Sequence, residues 1–165
     1  MPSIIIRPIR PDDNIALARI IREALAEFGA NKPGTVYYDP TTDALFELFG
    51  HPGSSYLVAE LDGTLVGGGG IFPSPGLPEG TCELVKMYLA PAARGIGLGK
   101  TLLDRNLAAA RQAGYRSVYL ESMPELRQAL RVYEKSGFRY LPGPLGNTGH
   151  FGCGIWMLRD LEAAG

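Results

Sequence analysis

The stretch RGIGLGKT, residues 94–101, sets three glycines and two cations between a strand-like and a helix-like segment. The run CELVKMYLA before it predicts a strand, which ends at Pro91 because proline cannot donate to a sheet ladder. The N–H groups that open a helix, together with the helix dipole, favour an anion in the preceding loop. Glycines let a phosphate approach the backbone closely. The stretch therefore predicts a phosphate-binding loop between a strand and a helix.

Two common phosphate-binding motifs fail to match this loop. The P-loop pattern G-x-x-x-x-G-K-[ST] would need a glycine at position 94, which is arginine. A dinucleotide fingerprint, G-x-G-x-x-G, starting at Gly95 would need a glycine at position 100, which is lysine. The pattern [QR]-x-x-G-x-[GA] does match, through Arg94, Gly97 and Gly99. We therefore expect the loop to bind a pyrophosphate, but as neither a P-loop nor a dinucleotide-binding fingerprint.

The rest of the chain predicts alternating strands and helices in the order β-α-(α)-β-β-β-α-β-α-β-β. Pro11 opens a first helix, and Pro124 opens the last one. Asp62-Gly63 predicts a hairpin turn, and FGCGIWML, residues 151–158, predicts the final strand. The helical period of the first helix predicts a buried face of Leu17, Ile20, Ile21, Ala24, Leu25 and Phe28.

These elements predict an α/β (α+β) fold formed by a single domain over residues 1–165. Hairpins followed by β-α-β crossovers imply one mixed, mostly antiparallel central sheet of about seven strands with helices on both faces. The glycine run 67–70 in the third strand allows two interpretations: room for a ligand, or tight packing of a neighbour.

The composition excludes several classes of protein. With 45% apolar residues, 20% charged residues and a net charge of −1, the chain is typical of a globular protein and not of a general nucleic-acid binder. No apolar run approaches membrane-spanning length, and MPSIIIRPIR is too short in its apolar part for a signal peptide, so we expect no membrane partner and a cytoplasmic location. Cys82 and Cys153 lack metal-site spacing and are expected to be reduced thiols, with no metal bound.

The segment CELVKMYLAPAARGIGLGKTLLDRNLAAARQAG, followed by ALRVYEKSGF, resembles the GNAT superfamily of acyl-CoA-dependent N-acetyltransferases. The resemblance implies acetyl-CoA as cosubstrate, with its pantetheine arm between two splayed strands and its pyrophosphate on the glycine loop. The implied cofactor-binding residues are Met87, Tyr88, Leu89, Arg94, Gly95, Ile96, Gly97, Leu98, Gly99 and Lys100.

The resemblance also implies two catalytic residues. Glu83, eleven residues before Arg94, stands where the family often carries a general base. Strand alternation predicts that Val85, Met87 and Leu89 share its face, and apolar neighbours would raise the pKa of its carboxyl. Glu121 is the alternative base, and a surface role for Glu83 stays open.

Tyr133 stands where relatives carry a tyrosine that protonates the leaving thiolate. A phenol is a reasonable acid for that step, and a core aromatic is the alternative role for this residue. Leu126 departs from the family pattern, since many relatives carry an asparagine there that contacts the pantetheine, whereas Ala129 fits. One side-chain contact to the cofactor is therefore not expected here.

The predicted function is transfer of an acetyl group from acetyl-CoA to a primary amine of a small molecule or amino acid. A protein N-terminus or lysine as acceptor, or a non-catalytic acyl-CoA sensor, are the alternatives, and a homodimer is compatible with the fold. Two glycine-rich loops would face the acceptor. Their candidate contact residues are Tyr37, Tyr38, Asp39, Asn147 and His150.

Overall fold

The computed structural model describes residues 2–146 and 152–161. The strands in these residues are β1 (Ile4–Pro8), β2 (Ser55–Leu61), β3 (Thr64–Phe72), β4 (Thr81–Leu89), β5 (Ser117–Ser122), β6 (Arg139–Leu141) and β7 (Ile155–Asp160). They form one seven-stranded sheet in the spatial order β1-β2-β3-β4-β5-β7-β6. The β4–β5 pair is parallel, and the other neighbouring pairs are antiparallel.

Helices cover both faces of this sheet: α1 (Asn14–Glu27), α2 (Leu45–Leu48), α3 (Leu98–Gln112) and α4 (Arg127–Lys135). On one face, Leu17 and Leu25 of α1 pack with Val58 of β2. On the other face, Leu103 of α3 and Leu130 of α4 belong to a second apolar core. The predicted mixed sheet with helices on both faces is confirmed. In the described part of the chain, no helix has the length and apolar character needed to cross a membrane.

The predicted buried face of α1 is correct except at its last position. Leu17, Ile20, Ile21, Ala24 and Leu25 are buried. Phe28 is 36% exposed, because it follows the last helical residue. The guanidinium group of Arg94 lies over its ring, 5.0 Å from the centroid.

The β2–β3 hairpin turns as predicted at Asp62-Gly63. The φ angles of these residues are 51° and 81°. Two consecutive positive φ angles are typical of the tight turn that matches the twist of a two-stranded ribbon. The short-range signal was therefore sufficient to locate this hairpin.

Two predicted boundaries are wrong. α4 begins at Arg127 and not at Pro124, because the residues between them form a turn closed by a hydrogen bond from Leu126 N to Met123 O. The final strand begins at Ile155, and residues 152–154, which were predicted to belong to it, form a glycine-containing loop. Residue 151, the predicted start, lies outside the described residues.

Four consecutive glycines in β3 serve tight packing. A Cβ on Gly68 would lie 2.5 Å from Cε1 of Tyr56, and a Cβ on Gly70 would lie 2.7 Å from Cδ2 of the same ring. On the opposite face, a Cβ on Gly69 would lie 2.6 Å from Cγ of Met87. These contacts settle the alternatives for the glycine run, since side chains of the two neighbouring strands fill the space.

Gly68→Ala is expected to lower the free energy of unfolding by about 1–3 kcal/mol, because the added methyl group overpacks a buried ring. Urea denaturation measures this change. Gly143→Ala is the control, since a Cβ there meets no atom within 4 Å. It should change stability by less than about 0.5 kcal/mol. Equal effects of the two substitutions would contradict the packing role of Gly68.

Candidate functional site

The parallel strands β4 and β5 separate soon after they meet. Their pairing covers Thr81 with Ser117, Cys82 with Val118, and Glu83 with Tyr119. β4 then continues to Leu89 without further pairing to β5. Residues 84–89 therefore present a strand edge toward the gap, and buried backbone groups of this kind need hydrogen-bond partners. A ligand that carries amides could supply them.

A β-bulge at Lys86 accompanies this separation. Gly70 of β3 pairs with Val85, whereas Gly68 pairs with Tyr88, so β4 has one residue more than β3 between these pairs. The φ angle of Lys86 is 53°, which is unusual for a residue other than glycine. Bulges of this kind bend a strand and redirect its side chains.

The bulge makes one sequence-based prediction wrong. Val85 and Tyr88 pack against the core on the α1 face, whereas Met87 packs against the core on the α3–α4 face. Met87 therefore does not share the face of Val85, as strict alternation required. Leu89 packs with Leu98 in a separate cluster at the end of the strand. The extra residue in β4 is the physical reason, because it reverses the alternation beyond Lys86.

Tyr56 of β2 holds the bulge from across the intervening strand. Its hydroxyl donates a 2.7 Å hydrogen bond to the backbone carbonyl of Lys86. The ring is 2% exposed and passes over Gly68 and Gly70 of β3. Burial raises the pKa of the Tyr56 hydroxyl, so it remains a donor. The sequence analysis missed this residue, and an aromatic residue opposite a glycine run was the available signal.

The glycine loop leads directly into α3. Gly95 and Gly97 have φ angles of 76° and 80°, a region that glycine adopts without strain. Gly97 precedes the first helical residue, Leu98. The N–H groups of the first helical turn have no partners within a helix and are oriented toward the loop. The backbone geometry thus suits an anion, as the sequence indicated.

Arg94 and Lys100, the two basic residues of the predicted phosphate site, both form hydrogen bonds with other protein groups. Arg94 donates hydrogen bonds to the carbonyl of Leu89 and, at 2.6 Å, to Oε2 of Glu27. Lys100 pairs with Asp104 at 2.7 Å on the exposed side of α3. Both cations are therefore partly neutralised by protein groups.

Two members of the predicted cofactor set have side chains that point elsewhere. Leu98 is 1% exposed and packs with Ala59 and Val66, and Ile96 is 45% exposed. Neither belongs to the lining of the cavity beside the loop. Any contribution from these two residues comes from the backbone.

One cavity of about 400 Å³ connects the glycine loop to the diverging strands. It runs from Gly95, Gly97 and Gly99 along residues 83–89 of β4 to Glu121 at the end of β5. From α4 and the preceding turn, it is lined by Leu126, Arg127, Gln128, Ala129, Arg131, Val132 and Tyr133. The cavity thus brings together the predicted base Glu83, the predicted acid Tyr133 and most of the predicted cofactor residues. Leu126 and Ala129, the two positions compared with the family pattern, also line it.

Glu83 lies in the wall of this cavity. Its side chain is 3% exposed, and Oε1 accepts a hydrogen bond from the hydroxyl of Ser74 at 2.5 Å. Glu121 lies on the neighbouring strand and accepts a 2.7 Å hydrogen bond from the Tyr119 hydroxyl. Both carboxylates line the same cavity, so the geometry does not choose between them.

Tyr133 is buried in α4 and also lines the cavity. Its ring makes an edge contact with Phe138 at a centroid distance of 5.8 Å. Burial raises the pKa of the Tyr133 hydroxyl to about 12, with no hydrogen bond contributing. The phenol is therefore protonated at neutral pH, which an acid requires.

Comparisons with known proteins agree with this geometry. Residues 17–138 match the Acetyltransferase (GNAT) family. The uncharacterized N-acetyltransferase YjgM of Escherichia coli (strain K12) is 44% identical over 161 residues, which cover 96% of each chain. The chain belongs to the GNAT family.

Solved acetyltransferase structures show the same fold. An acetyltransferase of the GNAT family from Staphylococcus aureus Mu50 superposes with a TM-score of 0.85 at 19% identity, over 97% of this chain and 100% of that one. The yncA protein of Salmonella typhimurium, solved with its cofactor acetyl-CoA, has a TM-score of 0.75 at 22% identity, covering 99% of this chain and 96% of that one. The predicted family, fold and acyltransferase class are confirmed.

The loop residues that the sequence analysis proposed as acceptor contacts lie only in part among the described residues. Tyr37 and Tyr38 pack edge to face at 5.0 Å, and neither lines the cavity. Asp39 pairs with the ammonium group of Lys86 at 3.3 Å, so this carboxylate is already engaged by a protein cation. Asn147 and His150 lie outside the described residues.

Both cysteines are free thiols, as predicted. Burial raises the pKa of Cys82 and of Cys153 to about 12, so neither is a thiolate at neutral pH. Cys153 lines the cavity, whereas Cys82 lies in the α3–α4 core. Among residues 2–146 and 152–161, no group of three or more His, Cys, Asp or Glu side chains could hold a metal ion.

Tyr56→Phe is expected to lower the free energy of unfolding by about 1–3 kcal/mol, because the buried Lys86 carbonyl loses its tyrosine donor. Urea denaturation measures the loss. Tyr38→Phe is a matched control, since that tyrosine is 59% exposed and its hydroxyl can bond to water. If both substitutions were neutral, the hydrogen bond at the bulge would not be a significant constraint.

Proposed function

We propose that this chain transfers an acetyl group from acetyl-CoA to a primary amine of a small molecule. The observation that carries the proposal is the single cavity that joins the glycine loop, the diverging edge of β4, Glu83 and Tyr133. GNAT membership and the acetyl-CoA of the yncA structure support the choice of cosubstrate.

The residues that line the cavity fit acetyl-CoA. The backbone of residues 95–100 would hold the pyrophosphate at the start of α3. The β4 edge over residues 84–89 would pair with the amides of the pantetheine arm, as an added strand would. Leu126, in the position where many relatives have asparagine, lines the cavity with an apolar side chain. Backbone contacts would therefore hold this part of the arm.

Glu83 would act as the general base. An alkyl ammonium must lose a proton before its nitrogen can attack a thioester carbonyl. The buried Glu83 carboxylate would take that proton directly or through a water molecule, while a backbone N–H of β4 stabilises the developing oxyanion. Glu121 is the alternative base, since it lines the same cavity.

Tyr133 would act as the general acid. The acetyl group supplies the electrophilic carbon, and the departing CoA thiolate needs a proton. The Tyr133 hydroxyl is protonated and lies in the cavity wall, so it can donate that proton. The ammonium nitrogen loses two protons overall: one passes through Glu83 to solvent, and the other, released as the carbon–sulfur bond breaks and the amide forms, restores the proton that Tyr133 gives to sulfur. The products are an amide, free CoA and one proton.

The identity of the acceptor, a cytoplasmic location, a single domain over residues 1–165 and a homodimer stay predictions. Acetylation of a protein N-terminus or lysine is the alternative reaction. A non-catalytic acyl-CoA sensor would share the cavity but would release no thiol.

Binding is tested by thermal unfolding with acetyl-CoA, CoA, ATP and NAD. A ligand at about 100 times its dissociation constant stabilises the native state by about 2.7 kcal/mol, a shift of several degrees for a chain of this size. We expect acetyl-CoA and CoA to raise the melting temperature, and ATP and NAD to leave it unchanged. A shift with ATP or NAD alone would overturn the proposal.

Glu83→Gln is expected to lower kcat for thiol release by about 10²- to 10⁴-fold, because the variant cannot accept the proton. CoA affinity, measured by calorimetry, should be unchanged. Glu121→Gln is the matched variant on the neighbouring strand and should have a much smaller effect on kcat. The opposite order of effects would assign the base to Glu121.

Tyr133→Phe is expected to lower kcat by about 10²- to 10⁴-fold through loss of the acid. Since the pKa of this hydroxyl is about 12, it stays protonated up to strongly alkaline pH. The kcat profile between about pH 7 and pH 10 should therefore have the same shape in both proteins. Tyr140→Phe, at a residue that is 52% exposed, is the control. A kcat of Tyr133→Phe that stays as close to the unsubstituted protein as that of Tyr140→Phe would contradict the assignment of the acid.

A further inference from the structure

A buried lysine in the cavity wall has no role in the mechanism above. Lys86 is 5% exposed and lines the cavity three residues after Glu83. It occupies the β4 bulge, where its backbone has a φ angle of 53° and its carbonyl is held by Tyr56. A left-handed conformation is costly for a lysine, whose place glycine could take without strain. The presence of a lysine side chain, and not a glycine, at this position therefore needs an explanation.

The described contacts satisfy the ammonium group of Lys86 only weakly. Nζ lies 3.3 Å from Oδ2 of Asp39 and 3.5 Å from Oγ1 of Thr42. Both distances are at the long end for a hydrogen bond to a charged nitrogen, and an ammonium group has three protons to donate. Burial lowers the pKa of Lys86, while the nearby Asp39 and Glu83 carboxylates oppose that change.

The position of this cation suits the acceptor and not the cofactor phosphates. Of the cations that line the described cavity, Arg94 belongs to the glycine loop, Lys100 to the first turn of α3, and Arg127 and Arg131 to α4. Lys86 lies on β4, three residues after the proposed base, and its ammonium group contacts Asp39 and Thr42 in the loop after α1. A low local dielectric strengthens the attraction of an anion to Lys86 and equally its repulsion from Asp39 and Glu83, so a ligand bound here needs a positive group of its own beside Glu83.

We infer that Lys86 binds a carboxylate of the acceptor, so that the acceptor is an amine of the amino-acid class, with a carboxylate close to the reacting nitrogen. This inference rests on the proposed function. The ammonium of such a molecule would face Glu83, and its carboxylate would complete the hydrogen bonds of Lys86. Asp39 keeps the lysine in place before the acceptor binds.

The simplest competing explanation is that Lys86 only ties the loop after α1 to the sheet through Asp39. Two variants separate these roles. Lys86→Met removes both the ion pair with Asp39 and the cation but keeps the length of the side chain. Asp39→Asn weakens the same ion pair and keeps the cation. A ligand-binding role predicts that only Lys86→Met changes the preference for a carboxylate, and Lys86→Arg should restore part of that preference.

The experiment measures thiol release from acetyl-CoA with pairs of acceptors, each an amino acid and its carboxamide. We expect the wild-type protein to prefer the carboxylate member of at least one pair. In Lys86→Met, kcat/KM for that member should fall by about 10- to 100-fold, the effect of one hydrogen bond to a charged group, while the value for the carboxamide is nearly unchanged. Asp39→Asn should retain the preference. Calorimetry with CoA serves as the folding control for every variant.

Other outcomes overturn the inference. Equal use of both members, or a preference that survives in Lys86→Met, would exclude a carboxylate at Lys86 and leave the proposed function intact. If the preference for the carboxylate acceptor were lost equally in Asp39→Asn and Lys86→Met, the role of Lys86 would be to hold the loop after α1 through its ion pair with Asp39. If CoA binds but neither member of any pair releases thiol, both the small-amine function and the inference fail.

Discussion

The hydrogen bond between the Tyr56 hydroxyl and the Lys86 carbonyl joins β2 to β4 across the whole width of β3. The hydrogen bond is possible only because β3 has glycines where the Tyr56 ring crosses it. Without side chains at those positions, the ring packs directly on the backbone of β3. The bond holds β4 at its bulge. The site depends on that bulge, because it is where β4 leaves the pattern of a regular strand and where its pairing with β5 has already ended.

The consequences extend along β4 in both directions. Toward its start, Glu83 is still paired with Tyr119 and is held in a buried position beside Ser74. Toward its end, the carbonyl of Leu89 accepts a hydrogen bond from the guanidinium group of Arg94, which also donates to Glu27 at the end of α1. These two contacts fix the start of the glycine loop. In the proposed function, these contacts would keep the glycine loop and the proposed base, Glu83, at a constant separation, which would preorganise the site for a long cosubstrate.

Local sequence signals were sufficient wherever local physics determines structure. The Asp62-Gly63 turn, the helical period of α1 and the glycine loop before α3 were all predicted from short segments and were found in place. The facing of Met87 was not predictable by alternation, because the bulge results from strand pairing between residues distant in sequence. The same limit applies to the Lys86–Asp39 pair, which joins two segments 47 residues apart. The predicted start of α4 was wrong for a local reason, because a turn at Pro124 competes with the helix.

The central claim is that the unpaired edge of β4 and the start of α3 form one continuous binding surface for acetyl-CoA. Backbone hydrogen exchange of the full chain, measured with and without CoA, tests it most directly. The account predicts slower exchange in residues 84–89 and 95–101 when CoA is bound, with the remaining edge strands unchanged. Tight binding of CoA without protection of residues 84–89 would contradict the claim that the pantetheine arm pairs with β4.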